Sequence, residues 1–270
     1  MIKLAVAGAC GRMGRRILTL AAQDKNFRIV AAFENRNHPD EGKPLSEVLG
    51  VACPPVKITT DASEAFRVAD AVIDFTHHSA LESNLKWALR HKTAYVVGTT
   101  GLGESHRKLL KQASKKIAIV QSPNMSVGVN LLFKLSEIAA KVLDEDYDLE
   151  ISETHHRMKK DSPSGTAVKL LEILAAARGR DIAKNTVYGR EGETGARPRG
   201  EIGVLAMRGG DVVGDHTVFF FGDGERVELT HRASSRDAFA QGALRAAKFV
   251  AKRRYGLYDM QQVLGIASAS

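Results

Sequence analysis

The stretch Ile2–Ala22, I-K-L-A-V-A-G-A-C-G-R-M-G-R-R-I-L-T-L-A-A, decides the fold. Its opening run is apolar and too brief for a signal peptide or a membrane span, and it suits a buried strand. Gly8, Gly11 and Gly14 follow, then apolar residues at helical spacing. A second strand, R-I-V-A-A-F-E, ends at Glu34. Strand, glycine turn, helix and strand make a βαβ unit of about thirty residues. The glycines are spaced G-x-x-G-x-x-G, a variant of the dinucleotide fingerprint. Amides at such a helix start can meet a pyrophosphate, and an acid about twenty residues on can hold a ribose hydroxyl. The competing reading is a tight structural turn with an ordinary surface acid. The loop lies at the first strand–helix junction, and Glu34 has the right spacing, so nucleotide binding is favoured.

Outward from that unit the alternation continues. Residues 70–75 (D-A-V-I-D-F) and 94–97 are expected strands, and 117–120 (I-A-I-V) is a third. Helical patterns cover about 79–91 and 104–115. Such alternation predicts a parallel sheet covered on both faces. F-T-H-H from Phe75 and G-T-T-G from Gly98 leave strand ends, where ligands of such sheets sit, and are expected on the nicotinamide side. G-T-T-G reads equally well as a turn with a threonine helix cap.

The pattern changes after Ser126. A long helix over 128–143 precedes a strand over 147–154, and a helix is expected from Pro163 to Arg178 with Gly179 as its stop. Residues 202–208, 211–221 and 225–231 then read as strands with little helix between them, the pattern of a mixed, largely antiparallel sheet. The loop R-E-G-E-T-G-A-R-P-R-G, 190–200, suits mobility or subunit contacts. A last helix covers about 236–254 and can pack on the first domain or close the second.

Composition sets the class. The chain has 270 residues, 44% hydrophobic and 26% charged, with a formal net charge of +8. That is an ordinary folded composition, long enough for one large or two modest domains. No long Lys/Arg block occurs and aromatics are sparse, so the charge points to small anionic ligands rather than nucleic acid. Cys10 and Cys53 stand apart from any histidine cluster in sequence, so no metal site and no disulfide framework is expected. A reducing, cytoplasmic setting fits.

The densest chemistry lies in E-T-H-H-R-M-K-K-D-S-P-S-G-T-A, Glu153–Ala167. Ser162 and Pro163 resemble a cap with proline at the first helical position. Ser164, Gly165 and Thr166 would then offer first-turn N–H groups and hydroxyls to an anion. His155, His156 and Lys159 supply positive charge and protons. Adjacent strand residues face opposite ways, so only one histidine easily enters a given pocket. Asp161 could pair with Lys160. Two readings stand side by side: a solvated basic loop, and a pocket for a small multiply charged anion. No H-E-x-x-H zinc motif and no G-x-x-x-x-G-K-[ST] phosphate loop occurs.

This block resembles the signature E-x-H-H-x-x-K-x-D-x-P-S-G-T-A of the 4-hydroxy-tetrahydrodipicolinate (dihydrodipicolinate) reductase family. G-A-C-G-R-M-G, D-F-T, G-T-T-G, P-N-M-S-V-G-V-N, R-E-G-E-T-G, G-D-V-V-G-D-H, H-R-A-S-S-R-D-A-F-A-Q-G-A and G-L-Y-D-M resemble further family blocks, in order. The resemblance implies an α/β fold, a Rossmann-type doubly wound parallel sheet over 1–126 and 236–270. An inserted α+β substrate and oligomerisation domain with a mixed sheet would occupy 127–235. It implies reduction of the cyclic imine with NADH and/or NADPH in lysine and diaminopimelate synthesis, and a homotetramer joined through the mixed sheets. His155 and Lys159 would be catalytic, and His156, Gly165 and Thr166 would bind a small dicarboxylate. Gly8, Ala9, Cys10, Gly11, Arg12 and Met13 would cradle the pyrophosphate, with Glu34 at the adenosine ribose. Gly98, Thr99, Thr100, Ser122, Pro123, Asn124 and Met125 would line the nicotinamide end. Family members using NADPH often carry a basic residue directly after the acid. Here Asn35 stands there and Arg36 follows, which favours NADH or dual use. Two rivals are a Rossmann oxidoreductase for another amino acid or imine, such as aspartate or homoserine dehydrogenase, and a non-catalytic nucleotide- or nucleic-acid-binding protein.

Overall fold

The computed structural model describes residues 1–266, so the last four positions of the expected segment 236–270 lie outside the described residues. In chain order the elements are β1 (Ile2–Ala7), α1 (Arg12–Gln23), β2 (Phe27–Phe33), α2 (Leu45–Leu49), β3 (Ile58–Thr59), α3 (Ala62–Val68), β4 (Ala71–Asp74), α4 (Leu81–His91), β5 (Ala94–Val97), α5 (Glu104–Ala113) and β6 (Ala118–Gln121). Then come α6 (Val127–Val142), β7 (Asp148–His155), α7 (Gly165–Ala177), α8 (Ile182–Asn185), β8 (Thr186–Val187), β9 (Ile202–Arg208), β10 (Gly214–Gly222) and β11 (Glu225–Ala233). The chain closes with α9 (Asp237–Val250), β12 (Gly256–Tyr258) and α10 (Met260–Leu264). It divides into two compact units, Met1–Val127 with Arg236–Gly265, and Gly128–Ser235.

The first unit is built on a seven-stranded parallel sheet, ordered β12-β6-β5-β4-β1-β2-β3. Both faces are covered because successive side chains alternate. Leu4 and Val6 point into a layer with Ile17, Leu18, Ala243 and Leu244, while Ala5 joins Phe66, Val72, Tyr95 and Leu110 on the other face. The strand order reverses between β1 and β4, which opens a crevice at the strands' carboxyl ends. The chain's return through α9 is tied to α1 by a forked ion pair between Arg16 and Asp237 at 2.7 and 2.8 Å. Among the described residues no helix is long and apolar enough to cross a membrane.

The second unit carries a five-stranded sheet ordered β11-β10-β7-β9-β8. β10 runs antiparallel to β11 and β7, whereas β7 and β8 both run parallel to β9. One face packs Leu149, Ile151, Val204, Val218 and Phe220 against Leu132 and Phe133 of α6 and Leu170 and Leu174 of α7. Two sequence expectations change here. β7 runs on through His155. α7 starts at Gly165, with Ser164 as its cap. Ser162 and Pro163 share a cis peptide bond and lie ahead of the helix. The Ser164 hydroxyl accepts the Ala167 N–H, so it fills the role expected of Ser162.

Candidate active site

In the first unit the glycine loop spends its own amides on holding itself. Gly8 and Ala9 N–H donate to the Phe33 carbonyl at 3.0 and 3.3 Å, and Gly11 N–H to that of Gly8 at 3.0 Å. Cys10 N–H donates to Glu34 Oε1 at 2.7 Å, so one oxygen of the expected ribose acid fixes the loop. The start of α1 is different: its cap is Gly11, no side chain bonds there, and Arg12 and Met13 carry first-turn amides that point out of the helix end. A Cβ on Gly14 would stand 2.0 Å from the Gly8 carbonyl oxygen, so only glycine lets α1 seat this closely on the loop. Gly8, Gly11, Phe33, Glu34, Asn35 and Arg36 line a cavity of about 860 Å³, a size that suits part of a dinucleotide. Donors, cradle and cavity fit such a group.

Phe75, Thr76 and His77 line the same cavity as Glu34 and Asn35, because β4 and β2 flank β1. Phe75, Thr76 and His77 therefore border the Glu34 end of this cavity, whereas the sequence expectation put F-T-H-H on the nicotinamide side. Asp74, fully buried, organises these loops. It accepts the Thr76 N–H at 2.8 Å, the Thr76 hydroxyl at 2.6 Å, the Asn84 amide at 2.8 Å and the Tyr95 hydroxyl. Burial and Asp74 together push the Tyr95 phenol well above its ordinary range. The Phe75 ring lies under Gly98, where a Cβ would stand 2.3 Å from it. Thr99 is buried beside Asp74, and Thr100 and Pro123 are exposed. Ser122 donates to the Asn124 carbonyl at 2.8 Å. Ala9 and Met125 are packed into the core, so only their backbones can face a ligand.

Cys10 is distant from histidine in sequence but not in space. Its sulfur lies within 4.8 Å of donor atoms of His38 and Asp40. Asp40 is already paired with Lys43 at 2.7 Å and faces Arg15 at 3.8 Å. Burial, then Glu34 and Asp40, push the Cys10 thiol up to about 11.

In the second unit the sheet register assembles the site. The inward face of β7 reads Leu149, Ile151, Glu153, His155, so the core becomes polar at the strand's end. β10 sets His216 opposite Glu153, and β9 sets Arg208 opposite His155. Glu153 is 0% exposed. Its carboxylate accepts His155 Nδ1 at 2.6 Å, both Arg208 Nη atoms at 2.8 and 2.9 Å, and the Ser164 N–H at 2.9 Å. Burial alone would raise this carboxyl, but Arg208, His155 and the Ser164 amide hold it below its ordinary value. Burial likewise lowers His155, against the opposing pull of Glu153, while Lys159 and Arg208 add to the lowering. His216, 3% exposed, is pushed down to about 3 by burial and by His155. Its Nε2 and the Ser164 hydroxyl share a hydrogen bond at 3.0 Å.

His156 falls just beyond β7 and is half-buried. A turn in which Lys159 N–H bonds the His156 carbonyl brings Lys159 back toward His155. Lys159 Nζ holds both oxygens of Asp161 at 2.9 and 2.8 Å, so the partner of Asp161 is Lys159 and not Lys160. Gly165 stands exposed at the first position of α7 and Thr166 is largely buried behind it. A helix start, a lysine and a histidine with a fixed proton partner can hold a carboxylate and move a proton beside it. Ser164, expected to offer its N–H and hydroxyl to an anion, instead gives its N–H to Glu153 and takes the Ala167 N–H on its hydroxyl. The sequence assigned no role to Glu153, Arg208 or His216; strand alternation along β7 and the head position of the E-x-H-H block were the available signals for Glu153.

A doubly wound sheet with a glycine loop at its first strand–helix junction, together with a second unit whose mixed sheet carries a cationic cluster, defines the class: a Rossmann-type oxidoreductase. Residues 2–125 match the family model "Dihydrodipicolinate reductase, N-terminus" and residues 128–264 match "Dihydrodipicolinate reductase, C-terminus". The chain belongs to the dihydrodipicolinate reductase family. It is 44% identical to a 4-hydroxy-tetrahydrodipicolinate reductase of Syntrophus aciditrophicus over 99% of this chain and 100% of that protein. It is 47% identical to the Nitrosomonas europaea protein of the same name, over 98% of each. Among solved structures, dipicolinate-bound dihydrodipicolinate reductase from Paenisporosarcina sp. TG-14 superposes with a TM-score of 0.74 at 25% identity, covering 97% of this chain and 98% of that one. A probable dehydrogenase from Thermotoga maritima, 13% identical with a TM-score of 0.63, shares the fold over 98% of this chain and 93% of its own.

Proposed function

We propose that the chain takes 4-hydroxy-tetrahydrodipicolinate, which loses its 4-hydroxyl as water to give the dihydrodipicolinate-type imine, and reduces that imine with hydride and a proton to tetrahydrodipicolinate in lysine and diaminopimelate synthesis. The observation that carries this reading is the start of α7, with Gly165 exposed at its first position, in the same unit as His155 and Lys159. Gly165 and Thr166 would hold one ring carboxylate by first-turn donors and helix dipole. Lys159 would leave Asp161 for the substrate's negative charge and donate a proton as the electron-rich enamine develops. His155 would take or give a proton at its free nitrogen, and His156 would touch the diacid. A bound nicotinamide supplies hydride to C4 of the ring. The amides of Arg12 and Met13 would hold the pyrophosphate, the free oxygen of Glu34 the adenosine ribose, and Gly98–Thr100 with Ser122–Met125 the nicotinamide end.

Cofactor preference follows from the same loop. Glu34 repels a 2′-phosphate and Asn35 carries no charge, which favours NADH or dual use, while Arg36 on the same cavity leaves NADPH usable. The second unit would assemble four copies through the outer face of its sheet, where Leu205, Met207 and Phe221 are exposed. Free Cys10 and Cys53 suit a cytoplasmic, reducing compartment.

The test is nicotinamide oxidation followed by absorbance, with and without the dipicolinate precursor. His155→Ala and Lys159→Ala, made singly, should each lower kcat about 100-fold or more and leave unfolding curves intact. Near-normal turnover in both would overturn the assignment.

A further inference from the structure

We propose that Glu153 is the positioning residue of this reductase. Its two carboxylate oxygens join the imidazole of His155 to the first turn of α7, and so fix where the proton moves relative to where the diacid binds. The role rests on the proposed function above.

The geometry is specific. Oε2 takes His155 Nδ1 at 2.6 Å and Oε1 takes the Ser164 N–H at 2.9 Å. Arg208 closes the remaining positions of both oxygens at 2.8 and 2.9 Å. A carboxylate so saturated, fully buried and faced by a guanidinium, is ionised and can only accept. The hydrogen of neutral His155 must then sit on Nδ1, which leaves Nε2 as the one nitrogen able to take a proton. Nε2 faces Gly214, where a Cβ would stand 3.0 Å from it. When Nε2 is protonated, Glu153 stabilises the imidazolium, the logic by which a carboxylate orients a catalytic histidine. The other oxygen acts on substrate placement. Ser164 caps α7, and its backbone N–H is bonded to Glu153, so the Glu153 carboxylate links His155 to the residue that starts α7. The charged and titratable groups around His155 are Glu153 on β7, Arg208 on β9, His216 on β10, and Lys159 with Asp161 on the following turn. His216 stays neutral beside it and adds no competing cation.

Glu153→Gln in the full chain tests this, because it keeps shape and removes the charge. We expect kcat to fall about 100-fold or more. The KM for nucleotide should stay within about twofold, since nucleotide binding lies in the other unit. The inflection that reports His155 in kcat/KM should move to lower pH, because Glu153 is the group holding that imidazole's proton affinity up. A merely structural role would lower yield or stability without moving the inflection. Where the variant fails to fold, nitrogen-15 NMR of histidine-labelled wild type decides alone. His155, assigned from the spectrum of His155→Asn, should be protonated at Nδ1 when neutral. A wild-type His155 protonated at Nε2, or a folded Glu153→Gln with unchanged kcat and inflection, would overturn the proposal. If His155→Ala is inactive while Glu153→Gln is normal, only Glu153's role falls; if His155→Ala is itself normal, the catalytic reading falls with it.

Discussion

A methyl group at position 14 would sit 2.0 Å from the Gly8 carbonyl oxygen. Gly14→Ala must push α1 off its loop and spoil the open first turn. The expected cost is about 1–3 kcal/mol of stability, as for overpacking elsewhere, with a raised KM for nucleotide; denaturant unfolding and steady-state kinetics check both. His216 makes a second prediction. In the unfolded chain it takes a proton near pH 6.5, in the folded chain only near 3. Below pH 6.5 unfolding therefore binds a proton, and stability falls as pH drops toward 3, by up to about 1.4 kcal/mol per pH unit from this residue. His216→Gln should flatten that acid limb in urea unfolding series, and an unchanged slope would contradict the assignment. At this scale sequence reading was uneven. The glycines, Glu34, His155 and Lys159 stand at spacings that carry meaning along the chain. Glu153, Arg208 and His216 meet only because β10 and β9 flank β7, and no local spacing encodes a sheet register.

Elements were legible where they are long and periodic. The strands that became β1, β2, β4 and β5 and the helices that became α4, α6 and α9 fall close to their expected bounds. Between residues 35 and 69 the sequence carries no element expectation. α2 has five residues and β3 two, too few for a period to show, and β3 exists only by pairing with the end of β2. The start of α7 was misplaced by two residues, because Ser162-Pro163 imitates a cap that Ser164 supplies. Ser164→Ala should therefore cost about 1 kcal/mol of stability and leave His216 Nε2 without its hydrogen-bond partner. In kinetics it should raise the KM for the diacid more than that for the nucleotide. An equal rise in both would separate the α7 start from substrate binding.

For the whole molecule, strand–helix alternation gives way to strands in succession after Ser126, near the passage between the two compact units, while the return of the chain to the first unit was an expectation of the family resemblance alone. Assembly is testable through the exposed sheet face. Leu205→Glu with Met207→Glu should convert a tetramer into smaller species by mass photometry, and a wild-type monomer would contradict the assembly proposal. Catalytic efficiency with NADH should equal or exceed that with NADPH; a strong NADPH preference would give Arg36 the deciding role over Glu34 and Asn35. The most direct trial of the account is a crystal structure of the chain with pyridine-2,6-dicarboxylate. The account predicts a carboxylate on the Gly165 amide and Thr166, with Lys159 Nζ turned from Asp161 to the ring. A diacid bound away from the start of α7, with Lys159 Nζ still on Asp161, would contradict it.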